Sequence, residues 1–227
     1  MKRPKEADLY PRIERWLQEE CLCFATAVNT GLSYSRPDVT GVRDIGGDLS
    51  GEIESIIVEV KRGTQPFATA SGQTLGYRVY ANRVYLADYR QSAFSIEEVH
   101  IASHLGIGLI QIKGKNCIER LSSPSYTPIT SLHRALLEKL GLGYCQLCGS
   151  VFNISEPGKL FTNLARENIQ RAIEKGKGLV FWNRELADRK RKLGMRTPGD
   201  GKTYERRFVC PDCVESLLSE FKLLSEG

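Results

Sequence analysis

The stretch from Ile53 to Lys61, IESIIVEVK, carries the clearest strand signal in the chain. Its apolar run over residues 56–58 predicts a strand buried on both faces, as in the interior of a sheet. Side chains alternate between the two faces of a strand, so Glu59 and Lys61 are expected to project from the same side. Two ionised groups on a buried strand are costly unless they are paired or bind a metal ion.

Segments on both sides of this strand show alternating helix and strand signals. Apolar residues at helical spacing predict the helices, and short apolar runs between turn-forming residues predict the strands. The resulting order, α-β-β-β-α-β-α-β, favours an α/β fold with a mixed sheet flanked by helices. The predicted elements are, in turn, 5–20, 23–28, 38–42, 53–61, 69–82, 83–87, 95–104 and 107–112.

Asp38 lies upstream of the central strand, and its carboxylate joins that of Glu59 as a candidate pair of metal ligands. Carboxylate oxygens are the ligands that hard divalent cations such as Mg²⁺ prefer, and the backbone carbonyl of Val60 can add a third. Lys61 would then hold or help to deprotonate a water aimed at a phosphodiester. From these residues alone, a surface Glu–Lys pair on an edge strand explains the pattern equally well.

The spacing of Pro37-Asp38 and Glu59-Val60-Lys61 resembles the motif of the PD-(D/E)xK nuclease superfamily, whose core order α-β-β-β-α-β matches the predicted order. The helix after the central strand carries Gln73-Thr-Leu-Gly-Tyr77, which resembles the Q-x-x-x-Y motif of the RecB-like exonuclease branch. Glu6, on the first helix, is similar to the helix-borne glutamate that many members use as an additional metal ligand. The resemblance covers roughly residues 5–87.

This resemblance implies a restriction-endonuclease-like fold and a metal-dependent nuclease that hydrolyses phosphodiester bonds, with DNA favoured over RNA. Mg²⁺ or Mn²⁺ would be the catalytic cation, bound by Glu6, Asp38 and Glu59 with the Val60 carbonyl. Gln73 and Tyr77 would orient the site or the DNA backbone. The catalytic residues that the resemblance implies are Glu6, Asp38, Glu59, Lys61, Gln73 and Tyr77.

Several of these assignments have competitors in the sequence. Glu14 lies on the same predicted helix as Glu6, and helical spacing does not separate them. Asp44 and Asp48 lie close to Asp38, although their Gly-rich surroundings are typical of a turn. Gln73 and Tyr77, four residues apart, can also be explained as a hydrogen-bonded pair on a helix surface.

Four of the seven cysteines form two Cys-x-x-Cys pairs, Cys145/Cys148 and Cys210/Cys213. Four thiolates can close a tetrahedral structural Zn²⁺ site. The first pair lies in a context typical of a zinc knuckle and the second leads into an amphipathic helix, which together resemble a treble clef with a long insertion over 149–209. Redox-active thiols and unrelated core cysteines remain the alternatives.

The positive charge of the chain is concentrated in its C-terminal part. The formal net charge is +5, and residues 1–130 carry 15 Lys+Arg against 15 Asp+Glu, so the whole excess lies in 131–227. A basic module of this kind suits a polyanionic partner such as nucleic acid, although a solvated charged face explains it as well. The candidate phosphate-contacting residues, next to Phe181 and Trp182, are Arg184, Arg189, Lys190, Arg191, Lys192 and Arg196.

These signals divide the chain into a nuclease-like domain over 1–120, a Ser/Thr/Pro-rich linker over 121–130 and a small zinc-stabilised α+β module over 131–227. Neither a secretion signal nor an apolar run of membrane-spanning length is recognisable, and the odd number of cysteines favours a reducing, cytoplasmic environment. A non-catalytic nucleic-acid-binding or assembly protein is the rival function. A protein partner or a homo-oligomer stays open.

Overall fold

The computed structural model describes residues 4–32, 36–46, 52–154, 171, 179–182, 206–216 and 219. The chain forms two compact units, Met1–Leu140 and Gly141–Gly227. The sequence placed the end of the first domain at residue 120, whereas the contacts divide the chain after Leu140. Within the described residues, no helix has the length and apolar character needed to cross a membrane.

The first unit is a six-stranded mixed sheet with helices on both faces, which confirms the predicted α/β class. Strand order in the sheet follows chain order from β1 to β6. The β1–β2, β2–β3 and β5–β6 pairs are antiparallel, and the β3–β4 and β4–β5 pairs are parallel. The elements are α1 (Tyr10–Glu19), β1 (Cys23–Val28), β2 (Val39–Asp44), β3 (Ile53–Lys61), α2 (Phe67–Gly76), β4 (Arg83–Tyr89), α3 (Ile96–Leu105), β5 (Gly108–Lys113), β6 (Asn116–Leu121) and α4 (Thr130–Lys139).

Strand β3 occupies an interior position in this sheet, with β2 on one side and β4 on the other. Its residues from Glu54 to Lys61 are all buried. Ile56, Val58 and Val60 face one core, which α1 covers, and Ile57 faces the other, which α2, α3 and α4 cover. Glu59 and Lys61 continue the Ile57 face, because side chains two residues apart share a face.

Local sequence signals account for both ends of α3. Ser95 with Glu98 three residues later predicts a capping box at the start of this helix. The structure confirms it: Ser95 accepts a hydrogen bond from the Glu98 amide, and the Glu98 carboxylate accepts one from the Ser95 amide. Gly106 ends the same helix in the left-handed conformation. Helix α2 begins after Pro66 and ends at Gly76, and a 3-10 turn over Tyr77–Val79 follows where one continuous helix was predicted.

Two features of the first unit differ from the prediction. Strand β6 was not predicted, because its sequence NCIERL has no clean alternation of apolar and polar residues. Residues 121–130, expected to be a linker, instead pack on the first unit: the amides of Tyr126 and Ile129 donate to the carbonyls of Asn82 and Val79. Composition marked this segment as a loop but did not show that it is hydrogen-bonded.

In the described part of the second unit, four short strands form two antiparallel pairs. Strand β7 (Leu142–Tyr144) pairs with β8 (Val151–Asn153), and β9 (Leu179–Trp182) pairs with β10 (Arg206–Val209). Residues 211–216 are helical, which agrees with the start of the predicted terminal helix. The sequence also predicts a helix near 160–175, and this segment lies almost wholly outside the described residues.

Candidate functional site

The predicted acidic pair lies at one end of strand β3. Glu59 is near the end of β3, and Asp38 immediately precedes the antiparallel neighbour β2. The amide of Val60 donates a 2.7 Å hydrogen bond to Oδ2 of Asp38, which ties the two strands together at the site. Val60 contacts the site through its N–H, and the metal-binding role of its carbonyl stays a prediction.

Glu59 is 1% exposed and has two donors on its own side of the sheet. Lys61 pairs with Oε1, and the hydroxyl of Tyr77 donates to Oε2 at 2.7 Å. Burial raises the pKa of Glu59, and the negative charge of Asp38 raises it further, while the hydrogen bonds from Lys61 and Tyr77 oppose the rise. Lys61 pairs with Glu59, while Asp38 adds a second negative charge that acts on Glu59, so an added cation would be electrostatically favourable.

Asp38 is held on both of its carboxylate oxygens. Oδ2 accepts from the Val60 amide, and Oδ1 accepts from the hydroxyl of Tyr10 at 2.7 Å. Burial raises the pKa of Tyr10, with further contributions from Asp38, Glu6 and Glu59, so the hydroxyl stays protonated as a donor. The sequence did not single out Tyr10, although its position four residues after Glu6 is a helical spacing that would place the two on one face.

Gln73 and Tyr77 both contribute to the site: Gln73 is exposed and Tyr77 is buried. The Tyr77 ring is 2% exposed and its hydroxyl contacts Glu59, so its position is not that of a helix-surface pair. A side-chain hydrogen bond from Gln73 acts on Tyr77, while burial is the largest cause that raises the Tyr77 pKa. Gln73, Tyr77, Glu59 and Lys61 therefore form a connected row of polar side chains.

The competing acidic residues occupy different surroundings. Glu6 lies in a 3-10 turn over Glu6–Asp8 and acts electrostatically on Tyr10. Glu14 accepts a 3.5 Å hydrogen bond from Thr26 on β1, and Asp44 accepts from the Gly46 amide as a turn residue does. Asp48 lies outside the described residues. Glu6 was predicted to lie on the first helix, but it precedes α1, and it shares the neighbour Tyr10 with Asp38.

The chain leaves the site through a turn fixed by Asp88. This residue lies beside Lys61 in the parallel β3–β4 register, and its Oδ1 accepts a 2.5 Å hydrogen bond from the Gly63 amide. Gly63 has φ +67°, and a Cβ there would lie 2.9 Å from the Tyr89 carbonyl oxygen. Arg90 bridges Asp88 to Glu98 at the start of α3. The sequence did not identify Asp88, because its pairing depends on the sheet register.

The four paired cysteines of the second unit converge as predicted. Their sulfur atoms all lie within 4.8 Å of one another, so the cluster could hold a metal ion such as zinc. Cys148 Sγ and Cys210 Sγ are 3.7 Å apart, which fits the edge of about 3.8 Å expected of a tetrahedron with Zn–S bonds of about 2.3 Å. Within the described part of the chain, Glu6, Asp38 and Glu59 do not form a comparably close group.

Local structure brings these cysteines together. Cys145 and Cys148 lie in the turn between β7 and β8, where the Cys145 amide donates to the Ser150 carbonyl. Cys210 follows β10, and its amide donates to Cys145 Sγ at 3.3 Å. Cys213 lies in the helical turn over residues 211–216. The six basic residues proposed to contact nucleic acid lie outside the described residues.

A separate cleft of about 560 Å³ opens on the α1 side of the sheet, and Trp16 and Tyr85 are among the residues that line it. It contains none of the predicted site residues. Arg43 and Arg83 line it and both pair with the buried Glu54. Burial works to raise the Glu54 pKa, but hydrogen bonds from Arg83, Ser125 and Arg43 lower it overall. The guanidinium groups therefore compensate a buried carboxylate.

Comparison with known proteins gives no family. No family model matches the chain, and no curated protein matches it. A protein of unknown function from Silicibacter pomeroyi, SPO1766, is similar in structure, with 17% identity over 60% of this chain and 84% of its own, and a TM-score of 0.44. A likeness at this level establishes neither the fold family nor the function.

Proposed function

We propose that the first unit is a divalent-cation-dependent nuclease of the PD-(D/E)xK type, with DNA as the favoured substrate. The observation that carries this proposal is the arrangement around Glu59: Asp38, Lys61 and Tyr77 all act on this one buried carboxylate. A restriction-endonuclease-like core is part of the same proposal. The chain order of α1, β1, β2, β3, α2 and β4 supports it.

The residues present suit a hard cation. Asp38 and Glu59 offer oxygen ligands, and burial raises the pKa of Glu59 against the hydrogen bonds from Lys61 and Tyr77, so a further positive charge beside Glu59 would be favourable. Each carboxylate oxygen has two lone pairs, so the hydrogen bonds described above leave others for a ligand. A divalent cation held there would supply positive charge to the phosphate and lower the pKa of a water.

The protein's own residues would perform the remaining work. Hydrolysis forms a bond between a water oxygen and phosphorus and breaks one phosphorus–ester oxygen bond, so negative charge grows on the phosphate. The Lys61 ammonium, which lies beside Glu59, would hold the attacking water and stabilise that charge. Tyr77 would keep Glu59 oriented through its hydrogen bond to Oε2, and Gln73 would in turn hold Tyr77, because such hydrogen bonds restrict a side chain to one rotamer.

We further propose that the cysteine cluster binds one structural Zn²⁺ in a treble-clef arrangement. Three features support this interpretation: the knuckle between β7 and β8, the antiparallel pair of β9 and β10, and the helical turn at 211–216. The basic residues over 184–196 would add phosphate contacts, a proposal that rests on their charge and sequence position.

A substrate panel tests the proposed function. Purified full-length protein is incubated with Mg²⁺ or Mn²⁺ and with linear and circular, single- and double-stranded DNA, and with RNA. We expect cleavage of at least one DNA that EDTA stops. Binding without cleavage under every condition would favour a non-catalytic nucleic-acid-binding protein instead. Cleavage of RNA alone would support the proposed hydrolysis of phosphodiester bonds but contradict DNA as the substrate.

A further inference from the structure

The hydroxyl of Tyr10 makes a contact with the candidate site that the proposed chemistry does not use. It donates a 2.7 Å hydrogen bond to Oδ1 of Asp38, while the Val60 amide donates one of equal length to Oδ2. The two donors come from different elements, α1 and β3. Each oxygen of the Asp38 carboxylate is therefore held by a donor from a different element.

Asp38 needs such fixing because of its place in the chain. It directly precedes β2, and its side chain is only half-buried, so the strand alone leaves the carboxylate free to rotate. An aspartate χ2 torsion is broad and two-fold, so rotation about it would redirect the oxygens. A hydrogen bond to each oxygen removes that freedom and still leaves one lone pair on each for a cation.

We infer that Tyr10 is a positioning residue that orients Asp38 to bind a divalent cation. The inference rests on the proposed cation site and adds a residue to it. Groups that hydrogen-bond a metal-ligating side chain typically contribute about 10–100-fold to metal affinity. Tyr10 would act through Asp38 and would not itself touch the substrate.

A packing role is the rival explanation, since the Tyr10 ring is 8% exposed and belongs to the α1-side core. Tyr10→Phe separates the two roles because it keeps the ring and removes only the hydroxyl. Tyr85→Phe is the matched control: that ring lies in the same core, and its hydroxyl bonds Glu119 at 2.8 Å, at the edge strand β6.

The experiment measures binding of Mn²⁺ alone to the full chain, by calorimetry and by the electron paramagnetic resonance signal of free Mn²⁺. Wild type, Tyr10→Phe, Tyr85→Phe and Asp38→Asn are compared, with circular dichroism to check the fold. We expect the Mn²⁺ dissociation constant of Tyr10→Phe to rise at least about 10-fold. Tyr85→Phe should bind as wild type does.

Cleavage as a function of Mn²⁺ concentration gives a second readout. If Tyr10 orients Asp38, Tyr10→Phe should need more Mn²⁺ but reach a turnover close to wild type at saturation. Unchanged Mn²⁺ affinity in a folded Tyr10→Phe would overturn the inference and leave the cation site intact. Loss of the native circular dichroism spectrum would also overturn it, by assigning Tyr10 to packing.

Failure of the proposed function has a different signature. Wild-type protein that binds no Mn²⁺, or Asp38→Asn that binds it as wild type does, would remove the cation site and the Tyr10 inference together. Weakened binding in both Asp38→Asn and Tyr10→Phe, with Tyr85→Phe unchanged, supports both.

Discussion

The hydroxyl of Tyr77 donates a 2.7 Å hydrogen bond to Oε2 of Glu59, although the two residues lie on different elements. The contact joins the 3-10 turn after α2 to the end of β3. Lys61 pairs with the other oxygen of the same carboxylate, so both oxygens of Glu59 have a donor. Asp38 is held in the same manner by Tyr10 and Val60.

Removing the Tyr77 hydroxyl is expected to slow cleavage. A hydrogen bond to a charged group contributes about 1.5–3 kcal/mol, and roughly 1.4 kcal/mol corresponds to a tenfold change in rate. Tyr77→Phe should therefore lower kcat/KM for DNA at least about tenfold while its ring keeps the core packed. Tyr85→Phe serves as the control, and equal rates for Tyr77→Phe and wild type would show that the contact is not used.

Zinc is expected at about one ion per chain in protein purified without added metal. Cys148→Ser combined with Cys213→Ser should abolish the zinc signal in elemental analysis, and Cys117→Ser, outside the cluster, should not. Chelation should expose the second unit to proteolysis, because closed zinc sites contribute folding free energy. Zinc that persists in the double variant would mean that the ion is bound elsewhere.

His133 is expected to make the first unit less stable in mild acid. Burial, with the charge of Arg134, lowers its pKa to about 4, whereas the ordinary value is about 6.5. The unfolded chain therefore binds a proton that the folded chain does not as pH falls from about 6.5 to about 4, and stability is lost across that window. The loss between pH 7 and pH 5 should be about 2 kcal/mol.

The measurement is urea unfolding of wild type and His133→Leu at several pH values. The variant should lose less stability than wild type on acidification, since Leu carries no titrating group. His104→Gln, a change at an exposed histidine of α3, controls for general effects of charge. Parallel pH profiles for wild type and His133→Leu would show that His133 does not set the acid sensitivity.

Gly63→Ala is expected to destabilise the first unit by about 1–2 kcal/mol, because the left-handed conformation disfavours any side chain. At φ +67° the added Cβ would also lie 2.9 Å from the Tyr89 carbonyl oxygen. Gly72→Ala is the opposite control: it lies in α2 with no atom within 4 Å of its added Cβ, and it should stabilise by up to about 1 kcal/mol. The midpoints of thermal unfolding compare the two, and a neutral Gly63→Ala would show that the turn is free to rearrange.

The periodicity of the sequence predicts much of the sheet. The apolar run of β3 and the capping box of Ser95 and Glu98 are local signals, and both are found where they were expected. Strand β6 was not predicted, because an edge strand needs no continuous apolar run and this one has none. The segment 121–130 was assigned as a linker from composition, which does not show that Tyr126 and Ile129 donate hydrogen bonds to the first unit.

The candidate site shows the same division between local and long-range information. Glu59 and Lys61 follow from the alternation of one strand, and the cysteine pairs from their spacing. Neither strand alternation nor cysteine spacing identifies Tyr10 or Asp88, because each contacts its partner through packing between elements that are distant in sequence. Residues of that kind require the fold before they can be assigned.

The most direct test of the central claim compares cleavage and DNA binding in wild type, Asp38→Asn, Glu59→Gln and Lys61→Met, with Mg²⁺ or Mn²⁺ and one shared substrate. All three variants should lose cleavage while circular dichroism shows a native fold and DNA binding persists. Mn²⁺ binding should weaken in Asp38→Asn and Glu59→Gln but survive in Lys61→Met, because an ammonium does not ligate a cation. Cleavage by Asp38→Asn and Glu59→Gln at the wild-type rate would contradict a catalytic centre at these residues.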